Sequence, residues 1–138
     1  MSSKKTLTFM QFLIINSQLA SISDTWADLW VLIFHTSLGA GRLLSLRYDD
    51  IDGNSILIRE RGRLKALRVE IPPTVMAMIA RRRERHPEDI FVFQSHSNRV
   101  KYQRRPVTII AFNAALRRAA RSLPDVNVSS SSARNIPD

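Results

Sequence analysis

Cationic side chains dominate the chemistry available to this chain. Of its 21 Lys and Arg, sixteen fall in four clusters: five between Arg59 and Arg68, four between Arg81 and Arg85, four between Arg99 and Arg105, and three between Arg117 and Arg121. Against 12 Asp and Glu they leave a formal charge of +9, an excess that favours a polyanionic partner. Planar guanidinium groups suit phosphate oxygens best, because they offer paired N–H donors along with the charge. The candidates for such contacts are Arg42, Arg61, Arg63, Lys65, Arg99, Lys101, Arg104, Arg105, Arg117, Arg121 and Arg134. Other chemistries are poorly supplied. There is no cysteine, which excludes disulfides and thiol catalysis and suits a reducing cytoplasm. The three histidines, His35, His86 and His96, are scattered, so neither a metal site nor a cofactor is expected. The acidic turn Asp49–Asn54 lacks EF-hand spacing and its terminal glutamate.

The elements that must position these groups follow from periodicity. Thr6 or Thr8 caps a first helix with Phe9, Phe12, Leu13 and Leu19 inward, and Ser23 or Asp24 caps a second that is apolar nearly all round and therefore central. A corner loosened by Gly39 and Gly41 leads to a short helix, the acidic turn, and two strands, Ser55 to Arg59 and Ala66 to Ile71, joined around Arg61-Gly62-Arg63. Alternation puts Ile56 and Ile58, then Leu67, Val69 and Ile71, on one buried face. Pro72-Pro73 opens a helix that His86-Pro87 ends, with part of the Arg81–Arg85 cluster complementing the helix dipole. Ile90 to Phe93 reads as a short strand and Gln94 to Arg105 as a basic loop. Pro106 starts a last helix with one stripe of Ile109, Phe112, Leu116, Ala119 and Leu123 and another of Asn113, Arg117 and Arg121. A serine-rich tail, expected to be flexible, occupies 125–138 of a single domain, 1–138. The longest apolar run, Leu29 to Phe34, is far below the ~20 residues that span a bilayer, and no signal-peptide cleavage pattern follows Lys4 and Lys5. A cytoplasmic protein with no membrane partner is expected.

The stretch His35 to Ile51, HTSLGAGRLLSLRYDDI, resembles the tyrosine recombinase (phage integrase) segment T-G-L-R-x-x-E-L-x-x-L-R-x-x-D-I. Thr36, Leu38, Leu43, Leu46, Arg47, Asp50 and Ile51 fall on that template, Gly39 stands at the position of the first catalytic arginine, and Arg42 stands at the glutamate. Placing Arg42 at the arginine position instead keeps Leu46 and loses the other two matches. The resemblance continues through the basic hairpin ending at Ile71-Pro72, through Phe91-Val92-Phe93 before Pro106-Val107-Thr108, and to Ser131-Ser132-Ala133-Arg134, similar to the family's His-x-x-Arg pair.

The resemblance implies a mainly α fold with a small antiparallel β-sheet (α+β), and a catalytic constellation that has degenerated. In the family two arginines grip the scissile phosphate, a hairpin lysine assists the leaving oxygen, and a tyrosine attacks. Here Arg134 keeps the second arginine, Arg63 or Lys65 stands near the lysine, and Ser131 replaces the histidine. Serine donates a hydrogen bond but is no general base near neutral pH. The tyrosines are Tyr48, at an aromatic packing position, and Tyr102, in a loop, while the family's nucleophile belongs to helices beyond the point where this chain stops. The implied function is duplex DNA binding without cleavage, as a regulator, architectural factor or site competitor, with a homo-oligomer or an intact recombinase as further partners. The alternatives are a protein-interaction module, or a recombinase that borrows a tyrosine in trans.

Overall fold

Thr8 starts the fold with a reciprocal cap. Its hydroxyl accepts from the Gln11 N–H at 3.1 Å, while the Gln11 side-chain carbonyl accepts from the Thr8 N–H at 2.9 Å, which opens α1 (Phe9–Ile22). Ser23 then serves two helices: its N–H donates to Leu19 O at 2.8 Å to close α1, and its hydroxyl accepts from the Thr25 N–H at 3.2 Å to open α2 (Asp24–Thr36). This computed structural model describes residues 7–96, 104–123 and 126–136, so Arg99, Lys101 and Tyr102 lie outside the described residues. The chain groups into two compact units: Met1–Ala40 with Ile109–Asp138, and Gly41–Thr108.

In the first unit α1 packs on α2 and on α5 (Ile109–Ala119). Its core holds Phe12, Ile15 and Leu19 with Leu29, Trp30, Leu32 and Ile33, joined by Phe112 and Leu116. Trp30 reconciles burial with its polar N–H by donating to Phe12 O at 3.1 Å. The inward face of α1 differs from the sequence expectation: Phe9 and Leu13 are 46% and 42% exposed, and Ile15 is buried instead. Apolar residues occupy most of the first two turns of α1, so the packing of its partners decides which of them go inside. The described part of the serine-rich tail ends in a 3-10 turn, Ser132–Asn135, packed on α2 with Ala133 and Ile136 buried.

In the second unit α3 (Ala40–Leu44) leads to a 3-10 turn, Tyr48–Asp50, and an antiparallel sheet of β1 (Ile51–Asp52), β2 (Ser55–Ile58) and β3 (Leu67–Glu70) in that order. Ile56 pairs with Val69 and Ile58 with Leu67. Gly53 turns the chain between β1 and β2 at φ +60°, a conformation that glycine adopts without steric cost. Burial follows β2 and not β3. Ile56 and Ile58 are inside, whereas Leu67 is 38% exposed and Val69 only half-buried, because β3 is the edge strand. α4 (Pro73–Arg85) follows with Val75, Met78 and Ile79 buried. The strand expected at Ile90 to Phe93 is absent: the segment is a turn held by isolated bridges, Arg47 to Phe91 and Gln94 to Pro106. The architecture is otherwise the mainly α arrangement with a small antiparallel sheet that the sequence implies.

Asp50 ties the start of this unit to its hairpin. The carboxylate accepts from the Arg47 N–H at 3.1 Å and from Arg59 Nη2 and Nε at 2.7 and 3.1 Å. Burial alone would raise the Asp50 carboxyl, but the Arg59 hydrogen bonds, the Arg47 N–H and the two guanidinium charges hold it below its ordinary value. A carboxylate held low in the fold stabilises fully above its unfolded value of about 4 and loses that contribution as pH falls through the folded value. Arg59→Met should therefore lower the urea midpoint at pH 7, by less in high salt because the Arg59 side chain is 54% exposed. The deficit should shrink below about pH 4. A deficit that stays constant from pH 7 to pH 3 would remove the ion pair as its cause.

Candidate nucleic-acid interface

In the first unit the two positions that the family resemblance pairs, 39 and 134, come together. α2 ends on Ser37 in the left-handed conformation, φ +58°, whose N–H donates to Ile33 O at 2.8 Å. The corner was expected to rest on Gly39 and Gly41, yet neither has a positive φ; Ser37 carries the turn. Arg134, exposed on the last 3-10 turn, donates from Nε to Ser37 O at 2.9 Å. Its Nη1 lies 3.9 Å from where a Cβ on Gly39 would stand. A single guanidinium thus sits over a residue with no side chain. Ser131 is exposed three residues before it, with its hydroxyl 3.0 Å from that of Ser129.

The same unit presents Arg117 and Arg121, both exposed, but not on one continuous α-helical stripe. The α-helix stops at Ala119 and Arg121 rides on a 3-10 turn, Ala120–Ser122. Asn113, expected to share their outward face, accepts from the Ser130 N–H at 3.0 Å and anchors the tail.

In the second unit Arg61 and Leu64 close a tight turn by reciprocal backbone bonds of 2.9 Å, with Gly62 at φ +56°, which leaves Arg63 and Lys65 exposed at its tip. The Arg61 guanidinium lies across Gly41, where an added Cβ would come within 2.5 Å of Nη1 and the exposed Arg61 side chain would have to turn aside. Arg42 is engaged inside the unit: its Nη2 donates to Lys65 O at 2.7 Å and Arg59 O at 3.3 Å, clamping both arms of the hairpin, while its Nε is buried without a partner. Arg104 and Arg105 are exposed, and the Arg105 carbonyl accepts from the Ser95 N–H at 2.8 Å.

The Arg81–Arg85 cluster divides. Arg82 is 4% exposed and donates from Nε to Val92 O at 2.9 Å, with its guanidinium over the Phe93 ring. Arg83 lies over Tyr48, which is buried. Burial pushes the Tyr48 hydroxyl above its ordinary value against the opposing pull of Arg82 and Arg83. Sequence reasoning missed the carbonyl-bonding roles of Arg42 and Arg82. It also missed that His86, Asp89 and His96 converge, for which the only local signal is the break at His86-Pro87.

The chain resembles several solved structures. A lambda integrase tetramer bound to a Holliday junction matches with a TM-score of 0.75 and 14% identity over 97% of this chain and 41% of that one. A lambda integrase dimer bound to a COC' core site matches at 0.73 and 14% over 97% and 39%. XerA recombinase matches at 0.72 and 15% over 97% and 48%. The fold is that of tyrosine-recombinase catalytic domains. The chain spans less than half of the length of these three recombinase chains. No protein-family model matches it, and no curated protein matches its sequence.

The geometry separates two roles for Arg42. As a clamp, its replacement by Met should raise hydrogen exchange at Lys65 to Leu67 and destabilise the unit by about 1–3 kcal/mol. Unchanged exchange together with a loss of nucleic-acid affinity would make it a phosphate contact instead.

Proposed function

We propose that this chain binds duplex DNA through its phosphate backbone and does not itself cut it. The observation that carries the reading is the single guanidinium of Arg134 over Gly39, where the resembled constellation has two arginines. One guanidinium suffices to hold a phosphodiester oxygen, but a pentacoordinate phosphate carries more charge and draws most of its stabilisation from preorganised donors. The exposed Arg63, Lys65, Arg104, Arg105, Arg117 and Arg121 support backbone tracking, and the lambda integrase neighbours are bound to DNA. Ser131 at the histidine position and the buried Tyr48 support binding without a covalent step. On this reading the protein is a regulator, an architectural factor or a site competitor.

Anisotropy titration of a labelled duplex at a series of salt concentrations tests this. Six or more phosphate contacts weaken affinity on the order of a thousandfold or more between 50 and 200 mM salt. Arg117→Ala with Arg121→Ala should flatten the log–log salt slope by about 1–2 without unfolding the protein, and Arg134→Ala by about 1. Affinity that ignores salt sinks the proposal. A covalent adduct on a suicide substrate, lost in Tyr48→Phe or Tyr102→Phe, would instead establish a residual recombinase acting in cis or in trans.

One observation favours a second reading, a protein-interaction module that pairs with itself or with an intact recombinase. Apolar side chains stand exposed on the first unit: Phe9, Met10 and Leu13 on α1, and Ile110, 78% exposed, at the start of α5. Light scattering of the protein alone separates the two readings, since a stable oligomer dissolved by Met10→Glu or Ile110→Glu supports the interaction module.

A further inference from the structure

The chain's second and third histidines, ten residues apart, meet at the C-terminal end of α4. His86 ends that helix, its N–H donating to Arg82 O at 3.1 Å, and after Pro87 the Asp89 N–H donates back to His86 O at 3.1 Å. This turn brings the Asp89 carboxylate beside the His86 ring. Gln94, buried, then fixes the carboxylate. Its side-chain carbonyl accepts from the Ile90 and Phe91 N–H groups at 2.9 and 3.2 Å, so its amide must face Asp89 Oδ1, to which it donates at 3.0 Å. The other carboxylate oxygen, Oδ2, lies 2.7 Å from His96 Nε2, and the His96 ring stacks on His86 with centroids 4.0 Å apart. One ligand atom from each of His86, Asp89 and His96 falls within 4.8 Å of the others.

From this geometry we propose that His86, Asp89 and His96 bind one divalent cation of the zinc class, with water completing the shell. Two imidazole nitrogens and one carboxylate oxygen are a donor set for Zn²⁺, Co²⁺ or Ni²⁺. They suit Mg²⁺ or Ca²⁺ poorly, since those ions take oxygen ligands. A tetrahedral shell with bonds of about 2.0–2.1 Å has edges of about 3.3 Å, so the three atoms must draw in by at most about 1.5 Å. Both histidines are exposed and free to rotate by that amount, whereas the Asp89 side chain is 10% exposed and held. A lone exposed His–Asp ion pair explains neither the second imidazole stacked over the first nor the buried amide committed to orienting the carboxylate. Outer-shell hydrogen bonds of that kind accompany metal ligands. The scaffold beneath is anchored independently, by Val92 N–H to Leu46 O at 3.1 Å and Val107 N–H to Phe93 O at 2.8 Å. A bound cation staples residue 96 to the end of α4. The inference is independent of the DNA-binding proposal.

The test uses the full chain without a histidine tag. Titration with Co²⁺ should give one saturating equivalent with visible d–d absorption, displaced by Zn²⁺, and Zn²⁺ should raise the melting temperature where equal Mg²⁺ does not. His86→Gln and His96→Gln should each weaken binding at least tenfold, and His35→Gln, which removes the remaining histidine, should leave it unchanged. Imidazole nitrogen NMR shifts on adding Zn²⁺ to the unmodified protein should mark two of its three histidines. Binding weaker than millimolar, binding that survives the double substitution His86→Gln with His96→Gln, or shifts confined to a single histidine would overturn the proposal.

Discussion

Where helices and strands stop, their backbone carbonyls still need donors, and in this protein arginine supplies them. Arg134 bonds the Ser37 carbonyl at the end of α2, Arg82 bonds the Val92 carbonyl in the turn after α4, and Arg42 bonds the Arg59 and Lys65 carbonyls on the two arms of the hairpin. The Val92 carbonyl is buried, and a carbonyl buried without a partner costs about 1–3 kcal/mol. The Ser37, Arg59 and Lys65 carbonyls belong to exposed residues, where the arginine takes the place of water and ties two segments together. Arginine fits the task better than lysine. Its planar fork donates from fixed directions, and the guanidinium is weakly hydrated, so it gives up less on partial burial.

That commitment changes how the net charge is read. Arg82 belongs to a conspicuous cluster and yet is core, and Arg59 is neutralised by Asp50. Arg47 and Arg83 lie over the Phe91 and Tyr48 rings, where the guanidinium gains from the ring face. Among the described residues the other exposed cations stand at the hairpin tip, at Arg68 on β3, at Arg81 and Arg85 on α4, at Arg104 and Arg105, at the C-terminal end of α5 and at Arg134. A charge count alone cannot make this division, because an arginine bonded to a carbonyl and one facing solvent contribute equally to it.

The same limit explains what the sequence made legible. Most helix ends were readable because their signals are local: the Thr8 cap, Ser23, Pro72-Pro73 and His86-Pro87 act within a turn of themselves. The start expected at Pro106 was not, because Pro106 is drawn into a bridge with Gln94 and α5 begins at Ile109. The Asp50 turn and the Arg61-Gly62 corner were readable for the same reason. Choices made by distant partners were not. Ile15 in place of Phe9 and Leu13 depends on what packs against α1, and the exposure of Leu67 depends on β3 having no further strand beside it among the described residues. The left-handed Ser37 gave no signal, since serine is not the residue that marks such a position. The convergence of His86 with His96 rests on the orientation of the Gln94 amide, which no spacing rule encodes.

Gly39 and Ser37 belong to one energetic argument. A serine at φ +58° carries a backbone cost of about 1–2 kcal/mol, and the Arg134 bond to its carbonyl offsets part of it. A second guanidinium rising from position 39 would face Arg134 across an anion site, and with no phosphate present the two like charges would repel. Without it, Arg134 rests on the Ser37 carbonyl. On the proposed function this is a sound exchange. A phosphodiester brings one negative charge and needs one preorganised partner, so what Gly39 forgoes is the added stabilisation of a state that a non-cleaving protein never visits.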